Sequence, residues 1–264
     1  PDFLCSDVST LNFFAFKDED GQMHYLIPKY RDQVYSIDEI PSIFRGTMAF
    51  LVPMGRPVDH SMISLPSFGP DINATCRQVD FRIFPEGDSM QVHSRIKYTG
   101  ESSTEQSIFD QAYGMDTVKT GFIRYMKLMY PNFRCDSLKS HHADPRFPFE
   151  KFFTYGGMET GVIQKVNDSL YSLDIMRWIK HAPVQEVLPN QNISVRVPYQ
   201  YTEKNDFNIG FPSEITLVNS SQAGISRVND LGSYALKVWQ VDGKTLAVSS
   251  EIAVARSIIS PPDY

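Results

Sequence analysis

The strongest pattern along the chain is an alternation of period two. Between residues 79 and 98 the sequence runs Val79-Asp80-Phe81-Arg82-Ile83-Phe84, turns at Pro85-Glu86-Gly87-Asp88, and returns with Met90, Val92, Ser94, Ile96 and Tyr98 on one face. The other face of the returning segment carries Gln91, His93, Arg95 and Lys97, so the pattern predicts a long, half-buried hairpin. Leu11 to Phe16 and Met23 to Ile27 flank the turn residues Asp18-Glu19-Asp20-Gly21 and predict a shorter hairpin, with Thr47 to Val52 as a third strand. The period changes once. From Ser102 to Tyr130 the pattern predicts two helices, opening on the capping box Ser103-Thr104-Glu105-Gln106 and punctuated by Gly114 and Pro131. Val118, Phe122, Tyr125, Met126 and Met129 mark the expected inner face of the second helix.

Strand-like segments then follow without further helix. They are Phe149 to Tyr155, Ser169 to Ile175, Asn192 to Gln200, Glu214 to Asn219, Gly224 to Asn229, Ser233 to Val241 and Lys244 to Val254, the last two joined by Asp242-Gly243. Turn signals at intervals of about ten residues favour antiparallel β-sandwich-type domains. The expected class is therefore mainly β with a helical excursion (α+β). The proline-rich stretch Pro53 to Asn73 reads as a connector, which places the expected boundaries at residues 1–73, 74–180 (with the helix pair at 102–130) and 181–264.

Composition narrows the partners more than the chemistry. The 25 Lys+Arg against 31 Asp+Glu leave a net charge of −6 with no basic block, so nucleic acid is not an expected partner. No apolar run approaches the roughly 18 residues of a spanning helix, and the chain is not expected to cross a membrane by itself. The start at Pro1, without an initiator Met or a leader, reads as processed or truncated. Three cysteines, Cys5, Cys76 and Cys135, fit neither a zinc spacing nor a dense disulfide framework. No cofactor is expected, since Gly156-Gly157 runs into Met158 rather than into a phosphate-binding Lys-Ser/Thr.

Several residue groups are candidates for chemistry. Cys135, His141 and Asp144 could supply three of the four ligands of a tetrahedral metal site, but the tight pair such a site usually shows is missing, and a strand end running into a polar turn is the expected reading, with no metal. Glu101 and Glu105, with Asp110 and Asp116, could pair as acid and base, but carboxylates at helix starts serve capping and the macrodipole first. His93 belongs to the polar face of its strand. Aromatics crowd Phe147 to Tyr155, with alternation placing Phe149, Phe153 and Tyr155 on one face and Phe152 on the other; core packing is the expected role, and Phe149, Phe152 and Tyr155 are the candidates should the face prove a ligand platform.

Three stretches carry a family resemblance. The first runs from Leu11-Asn12-Phe13-Phe14 through Tyr25-Leu26-Ile27-Pro28 to Gly46-Thr47-Met48-Ala49-Phe50-Leu51-Val52; the second is the hairpin around Gly87 ending in Tyr98-Thr99-Gly100. The third runs from His181-Ala182-Pro183-Val184 to Ile259-Ser260-Pro261-Pro262-Asp263-Tyr264. Together they resemble the C-terminal part of bacterial envelope proteins of the transglutaminase-like cysteine-protease superfamily, with flanking β-sandwich domains. The resemblance implies a location in the cell envelope, periplasm or cell surface, and makes residues 1–73 the remnant of a catalytic core. At the family's His and Asp positions this chain has Phe13 and Ile27, neither of which can accept a thiol proton or orient an imidazole. The expected function is thus a non-catalytic accessory, binding or scaffolding module with a protein or glycan partner and no catalytic residues of its own. The alternative is an active cysteine-type hydrolase whose Cys-bearing segment lies outside this chain.

Overall fold

A computed structural model of the chain describes residues 14–26, 37–41, 44–52, 61–144, 150–175, 178, 195–196, 199–218, 224–256 and 258–259. Four short strands come first: β1 (Phe14–Lys17), β2 (Met23–Leu26), β3 (Met48–Leu51) and β4 (Ser61–Ser64). The long hairpin β5 (Ala74–Phe84) and β6 (Ser89–Thr99) follows, then α1 (Gly100–Tyr113), α2 (Met115–Met129), β7 (Phe133–Asp144) and β8 (Glu150–Thr160). The rest is strand: β9 (Ile163–Lys165), β10 (Tyr171–Leu173), β11 (Val195–Arg196), β12 (Tyr201–Gly210), β13 (Gly224–Asn229), β14 (Gly232–Asp242), β15 (Thr245–Val254) and β16 (Ile258–Ile259). The chain is α+β, mainly strand with one helix pair.

Eight of the strands form a single mixed sheet in the order β13-β14-β15-β12-β5-β6-β8-β7. Strands from both sides of residue 181 therefore share one hydrogen-bonded surface. Every neighbouring pair is antiparallel except β5 and β12, which run parallel from Ala74↔Thr202 to Arg82↔Gly210. The hairpin signals at 85–88 and 242–243 are realised as the β5–β6 and β14–β15 turns. At the first, Asp88 takes a left-handed φ of 42° and its carboxylate accepts the Ile163 N–H at 2.9 Å, which ties the turn to β9.

The inner face of β5 and β6 is as alternation predicts, and β8, β12 and β15 continue it. Val79, Phe81, Ile83, Met90, Val92, Ile96, Phe153, Tyr155, Phe207, Ile209 and Val248 pack there, covered by Met126, Tyr130, Phe133 and Trp178. Aromatic contacts order this core, with Trp178 stacked on Tyr130 at 4.1 Å between centroids and edge-on to Phe81 at 5.3 Å. A smaller cluster of Tyr25, Ile40 and Leu65 holds the first strands together.

Several expectations are corrected. The first helix starts at Gly100, so Ser103 and Thr104 are buried inside it rather than capping it. Its orphan N-terminal N–H at Glu101 is satisfied from outside, by Asn73 Oδ1 at 3.0 Å. On α2, Val118 and Met126 face the core while Tyr125 and Met129 are exposed, so the buried stripe is narrower than the apolar pattern. Residues 214–218 are loop rather than strand, and the connector 53–73 contains β4. Strands β7 and β12 had no clear signal. Phe13, Ile27, Phe149 and Cys5 lie outside the described residues.

Candidate functional site

The site that the topology builds lies where the parallel pair ends. Strand β12 stops at Gly210, because the next N–H, of Phe211, turns to the Lys244 carbonyl at 2.9 Å and Pro212 has no N–H to continue the ladder. Strand β5 runs two residues further, with Ile83 and Phe84 still paired to Met90 and Ser89 on the β6 side alone. The sheet splits there. After the split the β5 chain leaves towards β6, and the β12 chain leaves in the opposite direction, to β13 at the far edge. A crevice outside the carboxyl ends of parallel strands whose connections diverge is where open sheets place ligands, because no chain crosses over it.

The crevice encloses about 510 Å³ and is lined by Arg82, Phe84, Asn208, Phe211, Pro212 and Lys244. The Arg82 guanidinium lies over the Phe84 ring, 5.6 Å from its centroid, and Phe84 is itself partly open to solvent. Across the gap, Lys244 Nζ donates to the Pro212 carbonyl at 3.3 Å. Asp80 is the carboxylate of the wall and accepts the Asn208 amide at 3.0 Å. Beside Lys244 the Asp242 carboxyl is held below its ordinary range, chiefly because it accepts the Lys244 backbone N–H. The arrangement presents two cations, an aromatic face and a one-sided strand edge.

The residues proposed from sequence are dispersed. Cys135 and His141 lie six positions apart on β7, roughly 20 Å along an extended strand. Cys135 packs against the core while His141 is exposed, and Asp144 stands at the end of the strand. No group of three metal-ligating side chains occurs among the described residues. Tyr155 is buried at the centre of the core and offers nothing to a ligand. Phe152 is on the opposite, solvent-facing side, 4.3 Å below the Arg95 guanidinium. Glu101 pairs with Arg45 at 2.9 Å, and Asp110 pairs with the buried Lys151. Asp116 sits in the first turn of α2, and exposed His93 lies opposite Asp80 and Gly156.

The two described thiols, Cys76 and Cys135, are both partly buried. Burial pushes the Cys76 thiol up, and it does the same for Cys135. Sequence reasoning missed Arg82, Phe84 and Lys244 as a group, and the only trace of them was a polar position and an aromatic at the end of an alternating strand. It also missed His24, whose ring nitrogens lie 2.7 Å from Asp38 and 3.1 Å from Asp18. No protein-family model matches the chain, and no curated protein or solved structure matches it.

Proposed function

We propose that the chain is a non-catalytic binding or scaffolding module that works through a protein partner held against its main sheet. The observation that carries this reading is the split at the ends of β5 and β12, where recognition groups converge on an open crevice. The thiols support it from the other side. A cysteine nucleophile needs a depressed pKa and an imidazole within hydrogen-bond reach. Cys76 and Cys135 are shifted upward instead, while His24 is engaged by two carboxylates and His93 and His141 are exposed on the sheet's outer face. A relationship to transglutaminase-like envelope proteins, and with it an envelope location, rests on the sequence resemblance alone.

The test is direct. The purified chain is incubated with a casein digest and with a glutamine-donor and amine-acceptor pair, with and without a thiol-blocking reagent. No cleavage or cross-linking is expected in either arm. Turnover that the reagent abolishes would establish the alternative, an active cysteine-type enzyme.

A further inference from the structure

We infer that the crevice at the ends of β5 and β12 takes an extended, acidic segment of polypeptide, its carboxylate held between Arg82 and Lys244. The inference rests on the binding-module reading and names the partner's chemistry. Three observations carry it.

The first is charge. Arg82 makes its described contact with the Phe84 ring, and Lys244 makes its own with a backbone carbonyl. Neither makes an ion pair with a carboxylate among the described residues, although the Lys244 charge adds to what holds the Asp242 carboxyl down, and Arg presents its donors in a planar fork suited to a carboxylate. The negative groups nearby are already engaged: Asp80 accepts from Asn208, and Asp242 from the Lys244 and Thr245 region of its own turn. Glu214 is a further carboxylate at the Lys244 end, at ordinary contact distance from Gly243.

The second is backbone. Beyond Arg82 the β12 side of β5 has no ladder partner, although Ile83 and Phe84 remain extended and paired to β6. A strand edge enclosed in this way offers main-chain groups to a short extended segment and selects against helix. The third is the aromatic and proline wall of Phe84, Phe211 and Pro212, which suits an apolar side chain next to the acidic one.

The probe is a terminally blocked, fluorescein-labelled peptide of alternating Glu and Phe, with the Lys-for-Glu peptide as control, titrated at low salt and followed by anisotropy and by amide chemical shifts. Saturable binding is expected for the acidic peptide, at least about tenfold tighter than for the basic one, with shifts clustered at Ile83, Phe84 and Phe211. Arg82→Glu with Lys244→Glu should weaken it by about tenfold or more, and Asp80→Asn should tighten it. Arg82→Gln with Lys244→Gln serves as a second pair should charge reversal disturb folding, which circular dichroism and the melting curve monitor. Equal binding of the two peptides, no saturation, affinity indifferent to both variant pairs, or shifts centred elsewhere would each overturn the inference. Peptide cleavage would instead overturn the non-catalytic reading, so the two failures are distinguishable.

Discussion

His24 is held from both sides, with Nδ1 against Asp38 Oδ2 at 2.7 Å, Nε2 against Asp18 Oδ2 at 3.1 Å, and its ring stacked on Phe16. Both contacts are hydrogen bonds donated by the ring only when the imidazole is protonated; a neutral ring keeps one donor. Its pKa is accordingly raised, mainly by the Asp38 bond and then by Asp18, while Asp18 is lowered, mainly by the bond from His24. The signs run opposite ways. The His24 contribution is complete below the unfolded imidazole value and is lost as pH rises through its raised folded value. The Asp18 contribution is present above the ordinary carboxylate range and is lost as pH falls through its depressed value. Asp38 also accepts the Tyr25 N–H at 2.8 Å, so exchange protection of that amide should peak in mildly acid solution between those limits and fall toward alkaline pH. Hydrogen exchange measured across that range reads this out, and His24→Gln should flatten the alkaline limb. A second pair at this scale is Lys151, fully buried, donating to Asp110 and to the Gln106 carbonyl at 3.3 Å. Lys151→Met alone strands the Asp110 charge and should cost about 3–5 kcal/mol in urea unfolding, whereas Lys151→Met with Asp110→Leu should recover most of it.

Elements depend on close approaches that only certain residues allow. A Cβ on Gly157 would stand 2.0 Å from the Arg134 carbonyl oxygen and 2.8 Å from the Phe133 ring, so β8 meets β7 here through a position with room for hydrogen alone. Gly157→Ala should therefore loosen β7 from the sheet, with a loss of about 2–3 kcal/mol in denaturant unfolding and faster amide exchange confined mainly to residues 133–144. Strands β5 and β6 were legible because each has one apolar and one polar face, and Val92, Ser94 and Ile96 are buried where alternation puts them. Strand β12 was not, because the inward-facing set that ends in Phe207 and Ile209 also includes Asn205, a residue that reads as turn or surface. Its burial goes with that of Arg77, whose Nε donates to Asn205 Oδ1 at 2.9 Å. On α2 the apolar stripe was wider than the face the sheet could cover, and Tyr125 and Met129 were left in solvent.

At the scale of the molecule the β5–β12 junction brings together residues 128 positions apart and is the one parallel pairing in the main sheet. Arg77 fastens it, bonding Asn205 on β12, donating to the Trp178 carbonyl and lying over the Phe207 ring. Arg77→Met would remove the donor from the Asn205 amide oxygen and the Trp178 carbonyl and should destabilise the chain by about 2–4 kcal/mol in one cooperative unfolding transition; adding Asn205→Leu should return part of the loss. Pairing at such a separation must overcome loop closure before it gains contacts, so it is expected to form late in folding. The sequence by itself determined the strand-rich class, the long hairpin with its buried face, the helix pair and its break at Gly114, because those follow from side-chain period and backbone preference within a few residues. Which strands became neighbours, the parallel junction, and the crevice that joins Arg82 to Lys244 were decided only in the tertiary structure. Neither residue carries a local signal of the other, and what unites them is the point at which Pro212 ends one strand while its neighbour continues.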